Sequence, residues 1–170
     1  FSNELYQSLE SEGFGLEEYL DREFELLAKE HGRVIDSGLA LDILVFHTTP
    51  RGTAEARTEE EGTPLYAHVE PEMKAFVAGC KQRFLLISIT ASRGDKEEGA
   101  TRQTRLAHDT LAPLIRERFV GSNLPGQRAR RILESRAVDW SDGRDGDPLD
   151  GADLKTVELG LDGMRMPSVD

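Results

Sequence analysis

The sequence predicts a single α+β (or α/β) domain, and three observations support this. A chain of 170 residues is long enough to bury one sizeable core. Apolar residues recur at helical spacing near both ends of the chain, and two central apolar runs, LALDILVFH and RFLLISITA, are typical of buried strands. We expect N-terminal helices, a small central sheet, two C-terminal helices and an acidic extended tail. The predicted domain covers residues 1–138 and the tail covers residues 139–170.

The first third of the chain predicts two helices. SNELYQSLESEG begins with residues that cap helices, and GLEEYLDREFELLAKEHG places Leu16, Leu20 and Phe24 on one face. Gly32 suits the position after a helix C-cap. We therefore expect the second helix to end there and Asp36-Ser37-Gly38 to turn the chain into LALDILVFH, a strand buried on both faces.

The middle and last thirds alternate between loop, strand and helix signals. PRGTAEARTEEEGTPLYAHVEP predicts an exposed loop, EMKAFVAGCKQ is ambiguous between helix and strand, and RFLLISITA predicts a strand. TRQTRLAHDTLAPLIRERFV predicts a helix that Pro113 kinks or divides, and GSNLPGQRARRILESRAV predicts another. The tail has few core residues, and we expect it to dock through these side chains: Trp140, Leu149, Leu154, Val157 and Leu159.

Composition limits the class of protein. The net charge of −11 opposes non-specific binding to nucleic acids and anionic membranes, and no apolar run reaches transmembrane length. Cys80 is the only cysteine, so an intramolecular disulfide and a multi-cysteine zinc site are excluded. We expect no cofactor, and an intracellular or cytoplasmic location or a place within a virion.

Charge is unevenly distributed. Residues 102–136 contain eight arginines and three acidic residues, and acidic segments flank them. Guanidinium groups bind carboxylates and phosphates alike. Three interpretations stay open: arginines paired with the protein's own acids, a docking surface for an acidic protein partner, or a nucleic-acid interface. The predicted partner-binding residues are Arg116, Arg118, Arg128, Arg130, Arg131 and Trp140.

Two sequence patterns could belong to a site for a phosphate-containing small molecule. SRGDKEEGATRQ has the glycine spacing of a phosphate-binding loop, but Ala100 replaces the lysine, and a polar turn with Thr101 capping a helix is the simpler interpretation. His47-Thr48-Thr49 and His108-Asp109-Thr110 repeat an H-x-T motif. If the two imidazoles faced one cleft, His47 and His108 could act as general base and acid.

Other catalytic patterns each lack a residue that their chemistry needs. Asp42 with Glu72-Met73-Lys74 resembles a nuclease arrangement of carboxylates and lysine around Mg²⁺, but Asp42 alternates within an apolar run. ARTEEEG is one residue short of a Nudix helix. The tail acids fit no EF-hand register, so we expect no dedicated metal site. Cys80 suits a small apolar core position, although Lys81 beside it could lower its pKa if both were exposed.

These observations give three functional hypotheses. The first is a non-catalytic structural or interaction subunit of a larger assembly, for example a viral or phage connector or tail-completion component, which acts through the Arg-rich segment and the acidic tail. The second is a small enzyme that uses His47 and His108 on a phosphate-containing molecule. The third is an arginine-dependent nucleic-acid-binding module.

Overall fold

The described residues, 15–91, 101–141 and 148–167 of a computed structural model, form an α+β fold, as the sequence predicts. They contain seven α-helices and a three-stranded antiparallel sheet. The N-terminal helix predicted in SNELYQSLESEG and the loop of residues 92–100 lie outside the described residues. Within them, no helix combines the length and apolar character needed to cross a membrane.

Two consecutive helices open the described chain. Helix α1 (Leu16–Ser37) contains the predicted amphipathic segment but continues past Gly32, with non-helical dihedral angles at His31 where we expected its end. Helix α2 (Leu39–Phe46) follows after Gly38, whose φ of 92° lies in the left-handed region that glycine enters without strain. The predicted hairpin turn at residues 36–38 is therefore a joint between helices.

The sheet and its flanking helices follow α2. Strand β1 (Arg57–Thr58) leads into α3 (Glu59–Leu65), a 3₁₀ turn (Ala67–Val69) and α4 (Glu70–Gln82). Strand β2 (Leu86–Ala91) pairs antiparallel with β3 (Thr101–Leu106), and β3 is the central strand between β1 and β2. Strand β2 confirms the prediction for RFLLISITA, whereas the proposed exposed loop contains β1 and α3.

Three helices complete the fold. Helix α5 (Leu111–Gly121) has Pro113 in its first turn, where the backbone N–H groups have no intrahelical acceptor. Pro113 therefore does not interrupt the helix, contrary to the prediction. Helix α6 (Pro125–Ser141) matches the last predicted helix, and Pro125 occupies its first position. Helix α7 (Gly151–Gly160) and a 3₁₀ turn (Leu161–Gly163) occupy the segment that we expected to be extended.

Two hydrophobic cores hold these elements. The larger core surrounds α2, against which α1, α4, α5 and the sheet pack, and it includes Leu20, Phe76 and Ile115. The smaller core lies between α6 and α7 and is built on Ala129, Val157 and Met164. A Cβ at Gly126 would lie 2.0 Å from the carbonyl oxygen of Gly163, so the turn after α7 packs directly on the α6 backbone.

Two predicted elements are wrong. LALDILVFH forms α2, because a short run that is apolar on every side also fits a helix enclosed on every side. TRQTRL forms β3, because its backbone pairs with β2 over six residue pairs and with β1 over two. The sheet therefore consists of β1, β2 and β3, and α2 packs in the core beside it.

Candidate functional site

Asp42 is the one charged residue of helix α2, and its side chain is 0% exposed. Its carboxylate accepts hydrogen bonds from Arg130 Nη1 at 2.9 Å, Tyr66 Oη at 2.9 Å, and both the backbone N and Nη1 of Arg165, at 3.2 and 3.3 Å. A buried charge requires such compensation. The Asp42 cluster (Asp42, Tyr66, Arg130 and Arg165) therefore joins α2 to α6 and to the C-terminal segment.

The neighbours of Asp42 keep their ordinary protonation states. Burial raises the pKa of the Tyr66 hydroxyl well above its usual value, and the charge of Asp42 raises it further. Burial lowers the pKa of Arg130, but Asp42 and Glu134 outweigh this and raise it. Tyr66 remains a neutral hydrogen-bond donor and Arg130 a cation, which is the arrangement that a carboxylate needs.

The predicted partner-binding arginines fall into different environments. Arg130 serves the Asp42 cluster, bonds Glu134 at 2.6 Å and lies over the Phe119 ring. Arg118 pairs with Asp21 at 2.6 Å, and Arg116 donates to Thr48 Oγ1 at 3.2 Å. These three arginines make intramolecular contacts. The backbone of Trp140 lies in α6, and its side chain is outside the described part of the structure.

The two other predicted arginines lie on the exposed surface of α6. Arg131 donates to the carbonyl of Ser122 at 2.8 Å and to Asn123 Oδ1 at 3.1 Å, neither of which neutralises its charge. Arg128 is exposed and forms no ion pair with any described residue. Val120, at the end of α5, is 73% exposed. We call Val120, Arg128 and Arg131 the basic corner.

A cavity of about 450 Å³ lies between the sheet and helices α3 and α4, with the last turn of α2 at one side. Its apolar lining comes from Ile43, Phe46, Met73, Val77 and Ile89. Its polar lining includes His47, Thr58, Ser88, Thr90, Gln103 and Thr104, and its charged lining comprises Arg57, Glu59, Lys74, Lys81 and Arg102.

His47 lines this cavity with both ring nitrogens engaged. Nδ1 donates to the carbonyl of Ile43 at 2.8 Å, since a carbonyl can only accept, and Nε2 therefore accepts from Thr104 Oγ1 at 2.7 Å. The side chain is 3% exposed, and this burial lowers its pKa to about 4. The imidazole is neutral at pH 7 and joins α2 to β3.

The cations at the cavity differ in how they are neutralised. Lys74 pairs with Glu59 at 2.9 Å and with Glu70 at 2.8 Å. Arg57 pairs with Glu55 and donates to the carbonyl of Phe46 at 2.9 Å. Lys81 and Arg102 are exposed and have no ion pair among the described residues. Among the described residues, the cavity therefore has two cations without an ion-pair partner. Lys74 and, more weakly, Lys81 lower the pKa of the Glu59 carboxyl, and Lys81 does so only through its charge.

The structure does not bring the other predicted catalytic groups to this cavity. His108 lies between β3 and α5 and is not part of the cavity lining. Thr101 begins β3, so residues 92–100 connect two strands, whereas a phosphate-binding loop connects a strand to a helix. Cys80 is in the larger core as predicted, and burial raises its pKa.

The acidic candidates have structural partners. Asp42 is held by Arg130 and Arg165, so it does not join Glu72 and Lys74 in a metal site. Asp150 caps α7 by accepting from the backbone N–H groups of Ala152 and Asp153. Across the described ranges, no group of three or more histidine, cysteine, aspartate and glutamate side chains could hold a metal ion.

The cavity was not predicted from the sequence, because its walls come from six elements, α2, β1, α3, α4, β2 and β3, which only the fold brings together. No sequence pattern indicated that Lys81 and Arg102 lie at the same site. The lone charge of Asp42 within an apolar run was the available signal for a buried ion cluster. No protein-family model, curated protein or solved structure matches this chain.

Proposed function

We propose that this protein is a non-catalytic subunit of an assembly that it forms with further copies of itself. The observation that carries the proposal is the basic corner: Arg128 and Arg131 form no ion pair with a described residue, and Val120 at the end of the preceding helix is 73% exposed, in a chain whose net charge is −11. A basic patch on an acidic protein attracts an acidic protein surface, and a second copy supplies one.

The complementary surface is the outer side of α7. Leu154 and Leu159 are 46% and 70% exposed, whereas Val157 faces the smaller core. The charged residues of α7 and its ends are mostly acidic: Asp150, Asp153, Glu158 and Asp162 against Lys155. We call Leu154, Glu158, Leu159 and Asp162 the acidic face. Lys155 is exposed on the same side of α7, one turn before Leu159, so this surface combines apolar area with a net charge of −1 (Glu158 and Asp162 against Lys155), as the basic corner combines apolar area with positive charge.

Both surfaces belong to the same layer, since α7 packs on α6. In a two-fold dimer, a contact from the basic corner of one copy to the acidic face of the other is repeated in the reverse direction. Burial of the leucines and Val120 would supply affinity, and the opposite charges would set the register. A connector or tail-completion component of a phage particle is one form that such a subunit can take.

The experiment is a measurement of solution mass by light scattering on the full chain at low and high salt. We expect an oligomer at low salt. Arg128→Glu with Arg131→Glu should dissociate it, and so should Glu158→Arg with Asp162→Arg. The four changes together should restore the oligomer, because they exchange the two charges.

The matched control is Arg22→Glu with Arg33→Glu. Both arginines are exposed on α1 and form no ion pair with described residues, so this variant makes the same change in net charge away from α6. It should keep the wild-type mass. A wild-type chain that stays monomeric at low salt and high concentration, or an oligomer that survives reversal of the basic corner, would refute the proposal.

A further inference from the structure

The cavity between the sheet and helices α3 and α4 has the dimensions of a small-molecule site. Its volume of about 450 Å³ lies within the roughly 300–1,000 Å³ typical of ligand pockets. It is formed by α2, α3, α4 and the sheet, and none of the residues of the basic corner or the acidic face lines it. The cavity and the surfaces of the proposed assembly therefore share no named residue.

The lining divides into an apolar part and a cationic part. Phe46, Met73 and Val77 supply aromatic and aliphatic surface, which suits the flat apolar body of a ligand. Lys81 and Arg102 supply two positive charges that form no ion pair with a described acid, although Lys74 and, more weakly, Lys81 lower the pKa of the Glu59 carboxyl. Two such cations at one cavity stand out in a chain of net charge −11.

His47 forms part of the cavity wall and contributes no charge to it. Both nitrogens of His47 already hold hydrogen bonds, to Ile43 and Thr104, so a ligand cannot bond this ring without breaking one of them. Ser88 and Thr90 have exposed side chains on β2 and can donate to a ligand oxygen. An anionic group beside Arg102 and Lys81 would receive a planar guanidinium fork and an ammonium charge.

We propose that this cavity binds a small organic anion, with an apolar, ring-sized body against Phe46, Met73 and Val77 and a phosphate or carboxylate group held by Lys81 and Arg102. The geometry assigns a binding function and no reaction. Burial of the apolar body of the ligand would contribute binding free energy, and the anionic group would fix the orientation of the ligand in the cavity.

Isothermal titration calorimetry with three probes tests the charge requirement. The probes are 1-naphthyl phosphate, 1-naphthoate and 1-naphthol, which share one ring system and differ in the anionic group. We expect one site for an anionic probe, with the neutral naphthol at least about tenfold weaker, because a charge-assisted contact contributes about this factor. The tighter of the two anions identifies the group that the site prefers.

Variants test the location. Lys81→Glu with Arg102→Glu should weaken the anionic probe by at least about tenfold, whereas the control Arg22→Glu with Arg33→Glu should bind as the wild type does. Ala78 is an exposed residue of α4 that lines the cavity, so Ala78→Trp fills the space and leaves every cation in place. It should also abolish binding, and circular dichroism confirms that each variant is folded.

Three results would overturn the proposal: equal binding of naphthol and the anions, no effect of reversing Lys81 and Arg102, or no effect of Ala78→Trp. Anion binding weaker than about 1 mM in the wild type would overturn it as well. Arg128→Glu with Arg131→Glu should bind the probe normally, which separates this proposal from the assembly.

Discussion

At Asp42, one carboxylate accepts hydrogen bonds from groups that are 24, 88 and 123 residues away in the chain. A carboxylate removed from water loses its hydration, and the two guanidinium groups replace that hydration only while Arg130 and Arg165 stay in place. Removal of one partner from such a cluster is therefore costly, although an apolar replacement of the whole cluster can be equally stable.

Removal of this single charge should be costly. We expect Asp42→Asn to lower the free energy of unfolding by about 3 kcal/mol, because Arg130 and Arg165 would keep their charges without a buried counterion. Urea unfolding followed by circular dichroism measures the change. Asp21→Asn is the control: it breaks the exposed Arg118 pair and should cost less than about 1 kcal/mol. Equal losses in the two variants would show that Asp42 carries no special role.

His47 should make the stability of the protein depend on pH. Its pKa is about 4 in the folded protein and near the ordinary 6.5 when unfolded, so the folded state prefers the neutral ring. The contribution is complete above pH 6.5 and is lost as the pH falls toward 4. It amounts to about 3 kcal/mol, at about 1.4 kcal/mol per pKa unit.

The measurement compares wild type with His47→Gln at pH 7 and at pH 4. Carboxylates titrate in the same range in both proteins, so the difference between the two pH-induced losses isolates His47. We expect the wild type to lose about 3 kcal/mol more than the variant. The same loss in both proteins would mean that the imidazole is not held neutral in the fold.

At the scale of elements, local signals predicted α1, α6 and β2. Amphipathic spacing identified α1, and an apolar, β-branched run identified β2. Helix α2 was missed because seven of its eight residues are buried, so no polar face revealed its period. Only the neighbouring elements decide whether such a run becomes a strand or a helix.

Strand β3 shows the opposite error, since a segment predicted to be helical forms a strand. TRQTRL has no apolar period and precedes a true helix, so it was assigned to that helix. Its conformation comes from pairing with β2 and β1, a non-local interaction that local propensity does not report. The cavity was missed for the same reason, since β3 brings Arg102 and Thr104 to it, and His47 reaches it from α2.

At the scale of the whole molecule, the smaller core cannot support itself. Among the described residues, only three are buried in it, Ala129, Val157 and Met164, with four partly buried hydrophobic residues against them: Ile132, Leu133, Leu149 and Leu161. So small an apolar core does not offset the entropy of ordering two helices. Contacts with the larger unit supply the rest. Gln127 Nε2 donates to the carbonyl of Gly38 at 2.8 Å, and the backbone N–H of Met166 donates to the carbonyl of Leu65 at 2.8 Å.

These contacts predict one cooperative unfolding transition. The backbone of Trp140, the only tryptophan, lies in α6, so we use its fluorescence to follow this helix, whereas far-ultraviolet circular dichroism reports on all the helices. On heating, the two signals should change at the same temperature, because α6 and α7 lose their support when the larger unit unfolds. In Asp42→Asn, both should move down together. A fluorescence transition well below the circular dichroism transition would instead make the C-terminal layer a separate folding unit, coupled only weakly to the rest through the Asp42 cluster.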